Sequence, residues 1–330
     1  MTLLNRYHYR LLVVFMAMLC IASCAEVIDL KTETDGGQLV IFGRITNGGM
    51  GNSISITRTL PDGQAPENVS GAVVTVTDGN GAQELYREAT PGVYELARNT
   101  VVGTVGETYQ LEVAIDGKTY TSTLQEMMPI LAKDELRYEL DIQEDITSTG
   151  VAISSDVVRI FAESTFETLP EEFYLRWTME ESYIVLGIEL PRSRFPRYTP
   201  QTCYIINELS AQDIFLVDGT QIRNAELSNR EVAVRPIDFS FDKKHYFNII
   251  QFGLNKEAHE YWQKLQSITT RQGSIFDVAP AAVLGNITSS DPDEDVFGFF
   301  EVGLFLGFLG LFVNRTLSTL SKAPLIAKNH

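Results

Sequence analysis

Thiols, imidazoles and basic side chains are all scarce in this chain of 330 residues, which has three cysteines, four histidines and 26 Lys+Arg against 43 Asp+Glu. A formal net charge of −17 opposes binding to nucleic acid and to an anionic lipid surface, and it favours solubility. The histidines, His8, His245, His259 and His330, include no pair at zinc-ligand spacing. The phosphate-cradling Gly-x-x-x-x-Gly-Lys pattern, the dinucleotide Gly-x-Gly-x-x-Gly pattern and the nucleophile elbow Gly-x-Ser-x-Gly do not occur. No cofactor is expected. No internal repeat is evident.

What is present begins at the N-terminus. Arg6 and Arg10 precede a short apolar segment from Leu11 to Ala22, closed by Ile21-Ala22-Ser23-Cys24. A dozen apolar residues suits the core of a signal peptide, whereas crossing a bilayer takes about 20. Small residues before a cysteine match a bacterial lipobox, so residues 1–23 are expected to be removed and Cys24 to carry lipid on its sulfur. The competing reading is an ordinary secretory signal that happens to hold Cys20 and Cys24. Each buried CH₂ of an acyl chain contributes about 0.8 kcal/mol, so several chains anchor durably where one is marginal. Attachment of so acidic a chain then depends on lipid and not on a basic patch. Once Cys24 is acylated and Cys20 is discarded, Cys203 remains alone, which excludes an intramolecular disulfide. It is expected to be a buried, hydrophobe-like thiol.

Residues 24–38 read as a polar tether with a Gly36-Gly37 pair. From Leu39, short β-branched and aromatic runs alternate with turn residues: Leu39 to Thr46, Ser53 to Thr59, Ala72 to Thr77, Gln83 to Glu88, Val93 to Leu96, Thr108 to Ile115 and Thr119 to Leu124. Seven such strands over residues 39–128 predict an immunoglobulin-like β-sandwich. Asp116-Gly117 predicts a two-residue type I′ hairpin. Met127-Met128-Pro129 marks the expected boundary, because proline removes a strand donor and restrains its predecessor. Residues 129–330 read as a larger β-rich domain, with Glu172 to Met179 and Ile184 to Leu190 as separate strands. Its one amphipathic helix, Lys256 to Thr270, has Asn255 as N-cap and Leu254, Ala258, Tyr261, Trp262, Leu265 and Ile268 on the face toward the sheet. The last apolar run, Val296 to Val313, is interrupted by Glu301 and four glycines. It reads either as two buried strands turning near Gly303 or as a membrane span using Gly303 and Gly307.

Several segments together resemble an uncharacterised family of Bacteroidota lipoproteins, domain of unknown function 4249. They are Cys24-Ala-Glu-Val-Ile-Asp-Leu30, Leu39-Val-Ile-Phe-Gly-Arg-Ile-Thr46, Gly71-Ala-Val-Val-Thr-Val76, Gly117-Lys-Thr-Tyr-Thr-Ser122, Leu254-Asn-Lys-Glu-Ala258 with Tyr261-Trp262, Gly273-Ser-Ile-Phe-Asp277, Gly285-Asn-Ile287 and Val296-Phe-Gly-Phe-Phe300. The resemblance implies a lipoprotein of the outer membrane or cell surface, commonly associated with TonB-dependent transporters, with no established enzyme activity or ligand. After Phe300 this chain is far more apolar than the family pattern, which suits a membrane-facing or partner-facing edge.

Candidate chemistry is sparse. His245 and His259 have no recognisable nucleophile nearby in sequence and are expected to be solvated or half-buried. Asp291-Pro-Asp-Glu-Asp295 places Asp291, Asp293 and Asp295 as alternating acids, a weak calcium candidate that lacks the glycine and terminal acid of an EF-hand. Contact residues are better sought among aromatics and cations: Phe195, Arg197 and Tyr198 in the loop Pro191 to Pro200, and Trp177, whose strand offers one face to solvent. The expectation is a non-catalytic, lipid-anchored accessory protein that assists a TonB-dependent transporter by holding ligand or assembling with it. A surface adhesin or structural interaction module is the alternative, and a hydrolase with an unrecognised carboxylate pair is a third class.

Overall fold

Period-two alternation makes Leu39 to Thr46 a strand, and burial follows the same period: Leu39, Ile41 and Ile45 are buried, while Val40, Phe42 and Arg44 are half-buried. The computed structural model describes residues 37–48, 51–60, 64–96, 103–130, 132–147, 149–166, 172–188, 200–209, 214–222, 224–269, 283–313 and 325–326. Cys24, Gly273 and the loop carrying Phe195, Arg197 and Tyr198 lie outside the described residues. Among the described residues the protein is mainly β with one α-helix, as expected.

The first sheet takes in β1 (Leu39–Thr46), β2 (Ser53–Arg58), β3 (Glu67–Asn68), β4 (Val73–Asp78), β5 (Gln83–Thr90), β6 (Val93–Glu95), β7 (Thr108–Ile115), β8 (Lys118–Ser122) and β9 (Gln125–Glu126). Strand β5 joins its two halves, pairing with β4 on one side and β6 on the other. Ile41, Ile54 and Ile56 from one half share a hydrophobic cluster with Val74, Leu111 and Val113 from the other, consistent with a sandwich. Between β7 and β8, Asp116 and Gly117 both have positive φ (52° and 77°), as a type I′ turn requires.

Past Pro129 the chain forms β10 (Ala132–Ile146), β11 (Ala152–Phe166), β12 (Tyr174–Ile188), β13 (Pro200–Glu208), β14 (Phe215–Asp218), β15 (Glu226–Pro236) and β16 (His245–Leu254), followed by α1 (Lys256–Thr269). After the helix come β17 (Ile287–Ser289), β18 (Phe300–Gly303), β19 (Phe305–Val313) and β20 (Leu325–Ile326). A second sheet runs β15-β11-β10-β20 and a third runs β13-β12-β16-β19, with β14 also on β12. These two sheets share a second core that includes Leu136, Val158, Ile160, Leu175, Trp177, Phe247 and Ile249.

The boundary at Pro129 is not a clean division. Strand β17 pairs antiparallel with β8 and β18 pairs parallel with β1, so residues expected in the C-terminal domain close both ends of the first sheet. Gly298 permits this return, because its φ of 95° suits glycine and a Cβ there would run into the Ile41 carbonyl. Ile41 N–H donates to the Phe297 carbonyl at 2.8 Å, and Gly43 N–H donates to the Phe299 carbonyl at 2.9 Å. The run Val296 to Val313 does hold two strands, but they do not turn back at Gly303. At Leu304 the chain passes from the first sheet into the third. Among the described residues no helix is long and apolar enough to cross a membrane.

The two strands expected on either side of Glu180-Glu181-Ser182 are one strand of 15 residues, since Glu181 is neutralised inside the protein and does not break the strand. Helix α1 starts where Asn255 Oδ1 accepts from Ala258 N–H at 2.8 Å. Ala258 and Tyr261 of its apolar face pack with Tyr174, Phe252 and Leu254 of the third sheet and with Phe299.

Candidate functional site

Four elements converge on one buried carboxylate. Strand β18 supplies Glu301, 1% exposed, at the end of the first sheet. Arg44 comes from β1, directly opposite Glu301 in the ladder, Arg176 comes from β12, and Trp262 comes from α1. Arg44 Nε and Arg176 Nη2 both donate to Glu301 Oε1, the latter at 2.9 Å, while Trp262 Nε1 donates to Oε2 at 2.8 Å. The Arg176 guanidinium also lies between two rings, 4.1 Å from the Trp262 centroid and 4.5 Å from that of Phe252, and Arg44 stacks on Phe252 at 4.7 Å.

The local sequence explains each placement. An acid inside the apolar run after Val296 has to find buried cations, because an isolated charge in low dielectric neutralises instead. Burial pushes the Glu301 carboxyl up, but the charges of Arg176 and Arg44 outweigh it and hold the group below the usual range. Burial drives Arg176 down to about 10 against the pull of Glu301. Two cations face one anion here, and Arg176 Nε has no hydrogen-bond partner. The cluster bolts the first sheet, the third sheet and the helix together.

A second ionic cluster joins β12, β15 and β16. Glu181 Oε2 accepts from Arg235 Nε at 2.8 Å and is 3.1 Å from His245 Nε2, while Oε1 accepts from Arg235 Nη2 at 3.0 Å and Asn207 Nδ2 at 2.9 Å. Burial raises the Glu181 carboxyl, yet these hydrogen bonds from His245, Asn207 and Arg235 hold it at about 2. The His245 ring is fully buried, stacked against Phe241 at 4.1 Å and Phe247 at 4.7 Å. Asp134, 2% exposed, accepts from Ser164 Oγ at 2.6 Å and from Gln251, and burial pushes it up to about 6 despite those bonds.

Several sequence expectations are corrected. Trp177 is buried completely, because β12 is covered on both faces here, with Tyr174 and Arg176 buried on its other side. His259 is also buried, stacked on Tyr174 at 4.5 Å, and burial pushes its imidazole down. Cys203 is exposed, on a strand that has no neighbour on its far side among the described residues. The calcium candidate does not assemble. Lys118 Nζ holds Asp291 at 2.9 Å and Glu294 at 3.1 Å, and no group of three metal-ligating acids, histidines or cysteines forms among the described residues. Asp293 and Asp295 are exposed. The acidic turn instead pins β17 to β8, with Tyr120 and Ser289 also donating to Glu294.

A family described as a domain of unknown function, DUF4249, matches residues 25–304. The chain belongs to this family. No curated protein and no solved structure matches it. The four residues of the Glu301 cluster lie within the DUF4249 match, and the match ends at Leu304, where the backbone changes sheets.

Exposed apolar side chains of this DUF4249 protein concentrate at two hairpins. At the far end of β10 and β11, Ile142, Ile146, Val151 and Ile153 are exposed. On β12 and β13, Leu186, Tyr204 and Ile206 are exposed. Sequence reading missed the Glu301 cluster, although an acid within an apolar run and an arginine beside a core tryptophan were both visible.

Proposed function

We propose that this DUF4249 protein is a non-catalytic accessory protein, lipid-anchored through Cys24 at the outer membrane or cell surface, that assists a TonB-dependent transporter by complex assembly or by holding ligand. The observation that carries this reading is the division of its chemistry. The Glu301, Glu181 and Asp134 carboxylates are buried and bonded within the protein, whereas apolar side chains face outward along two strand pairs, β10/β11 and β12/β13. Buried ionic clusters whose carboxylates are bonded internally serve architecture, and outward apolar residues serve contact. His245 and His259 are locked in ring stacks, and among the described residues no hydroxyl or thiol is bonded to either, which suits a non-catalytic role.

The leader and its lipobox supply the anchoring half of the proposal, and the acidity of the chain makes lipid necessary for it. Cys24→Ala should release the protein from membranes, and crosslinking of the lipidated form should capture an outer-membrane transporter. Membrane retention of the variant at high salt, or a crosslinked set without a transporter, would reject it. The rigid bolting of the sheets at Glu301 also suits a spacer, which favours the adhesin as second reading. Binding to a matrix or host surface in place of a transporter would select that one.

A further inference from the structure

Three acceptor side chains stand in a row across the third sheet. Glu208 on β13 is directly opposite Glu180 on β12, and Glu180 is directly opposite Asn248 on β16. Residues so paired share a face with Cβ atoms about 5 Å apart, and like charges in that position repel. Burial and the Glu208 charge together push the Glu180 carboxyl up. No salt bridge or hydrogen bond engages either carboxylate among the described residues, and Asn248 Oδ1 is a buried acceptor without a donor. Arg176, whose charge is coupled to Glu208, is committed to Glu301. An apolar strip leads away from this row on the same face: Ile206 is 70% exposed and Tyr204 74%, with Leu186 beyond them on β12.

Among the described residues, strand β13 is also an edge with no strand on its far side. Its pairing with β12 runs through nine successive residue pairs without a bulge, and Glu208 is its one charged residue. The end strand of the second sheet, β15, is protected far more heavily than β13, whose devices are Pro200 at its start and Glu208 at its end. It carries Glu226, Arg230, Glu231 and Arg235, ends in Pro236, has two register shifts and places Asn229 at a φ of 57°. An edge with so few such devices between its ends is a template for another strand.

We infer that β13 accepts an extended segment of a partner protein as an added strand, with an arginine or lysine of that segment over Glu208 and reaching toward Glu180. Apolar residues two and four positions along the same face of the segment lie beside Ile206 and Tyr204. The cation supplies the donors that the two carboxylates lack, and main-chain hydrogen bonds along β13 supply the rest of the affinity. A second copy of this chain fits poorly, because its β13 brings another carboxylate, no cation, and a net charge of −17. The surface is independent of lipid anchoring, so its test stands apart from the one above.

The test uses the purified full chain and two labelled synthetic peptides, Thr-Arg-Thr-Val-Thr-Val-Thr and the same sequence with glutamate for arginine. By anisotropy the basic peptide should bind about tenfold more tightly, a difference of about 1.4 kcal/mol, and the gap should narrow as salt rises. Hydrogen exchange should slow within residues 200–208. In the Glu180→Gln/Glu208→Gln double variant, which relieves repulsion and so folds, the preference should fall to about twofold or less. Methylating alternate amides of the basic peptide should abolish binding. Equal binding of both peptides, no binding at about 1 mM (about −4 kcal/mol), an unchanged preference in the double variant, protection elsewhere, or a dimer in sedimentation would each overturn the inference.

Discussion

Replacing Glu301 with glutamine should strand two cations at the junction of the sheets. The wild-type carboxylate accepts from Arg44, Arg176 and Trp262, and Glu301→Gln keeps its shape while removing the charge. Arg44 can recover hydration, because its side chain is 27% exposed, but Arg176 cannot at 5%. Breaking a buried ion pair from one side costs about 3–5 kcal/mol, and with only one arginine fully trapped the expected loss is about 3 kcal/mol. That is roughly a hundredfold in the folding equilibrium. Urea unfolding followed by tryptophan fluorescence suits the measurement, since the two tryptophans, Trp177 and Trp262, report the second core and the junction. An apolar replacement of all three groups, Arg44→Leu/Arg176→Met/Glu301→Leu, should fall within about 1 kcal/mol of wild type or exceed it, because the desolvation burden disappears with the charges. A loss under about 1 kcal/mol for Glu301→Gln would refute the bolt.

Asp134, pushed up to about 6 by burial, keeps its proton when folded at pH values where the unfolded chain loses it. Its contribution is therefore full below the ordinary aspartate value and is lost as pH rises toward 6, by about 3 kcal/mol, and Asp134→Asn should flatten that limb of the stability profile. Glu181 behaves oppositely. It is held at about 2, so its stabilisation is present above the ordinary glutamate value and lost as pH falls through 2, and Arg235→Met should move acid unfolding to higher pH. Gly298→Ala should cost at least about 2 kcal/mol in a denaturant melt, through positive φ and collision with the Ile41 carbonyl. Gly81→Ala, at a similar φ of 86° with open space around it, should cost only about 1 kcal/mol.

Local chemistry was legible from sequence because its causes are local. The Asn255 cap, the Asp116-Gly117 turn and the alternation of β1 each depend on residues a few positions apart, and each stands where expected. The Glu301 cluster joins Arg44, Arg176 and Trp262 across separations of up to 257 residues, which no periodicity encodes. The same non-local pairing hid the continuity of β12, since Glu180-Glu181-Ser182 reads as a polar break until Arg235 is seen to neutralise Glu181 and His245 to lie within hydrogen-bond distance of it. Trp177 and Cys203 were misplaced for a related reason. Which face or edge of a strand is covered depends on sheet order, and β12 lies inside the third sheet while β13 lies at its end.

The anchored-accessory proposal is tested most directly by mass spectrometry of the N-terminal peptide from membrane-fractionated cells. It predicts a mature chain beginning at Cys24, acylated and sedimenting with the outer membrane. An unmodified soluble chain that still carries residues 1–23 would contradict it.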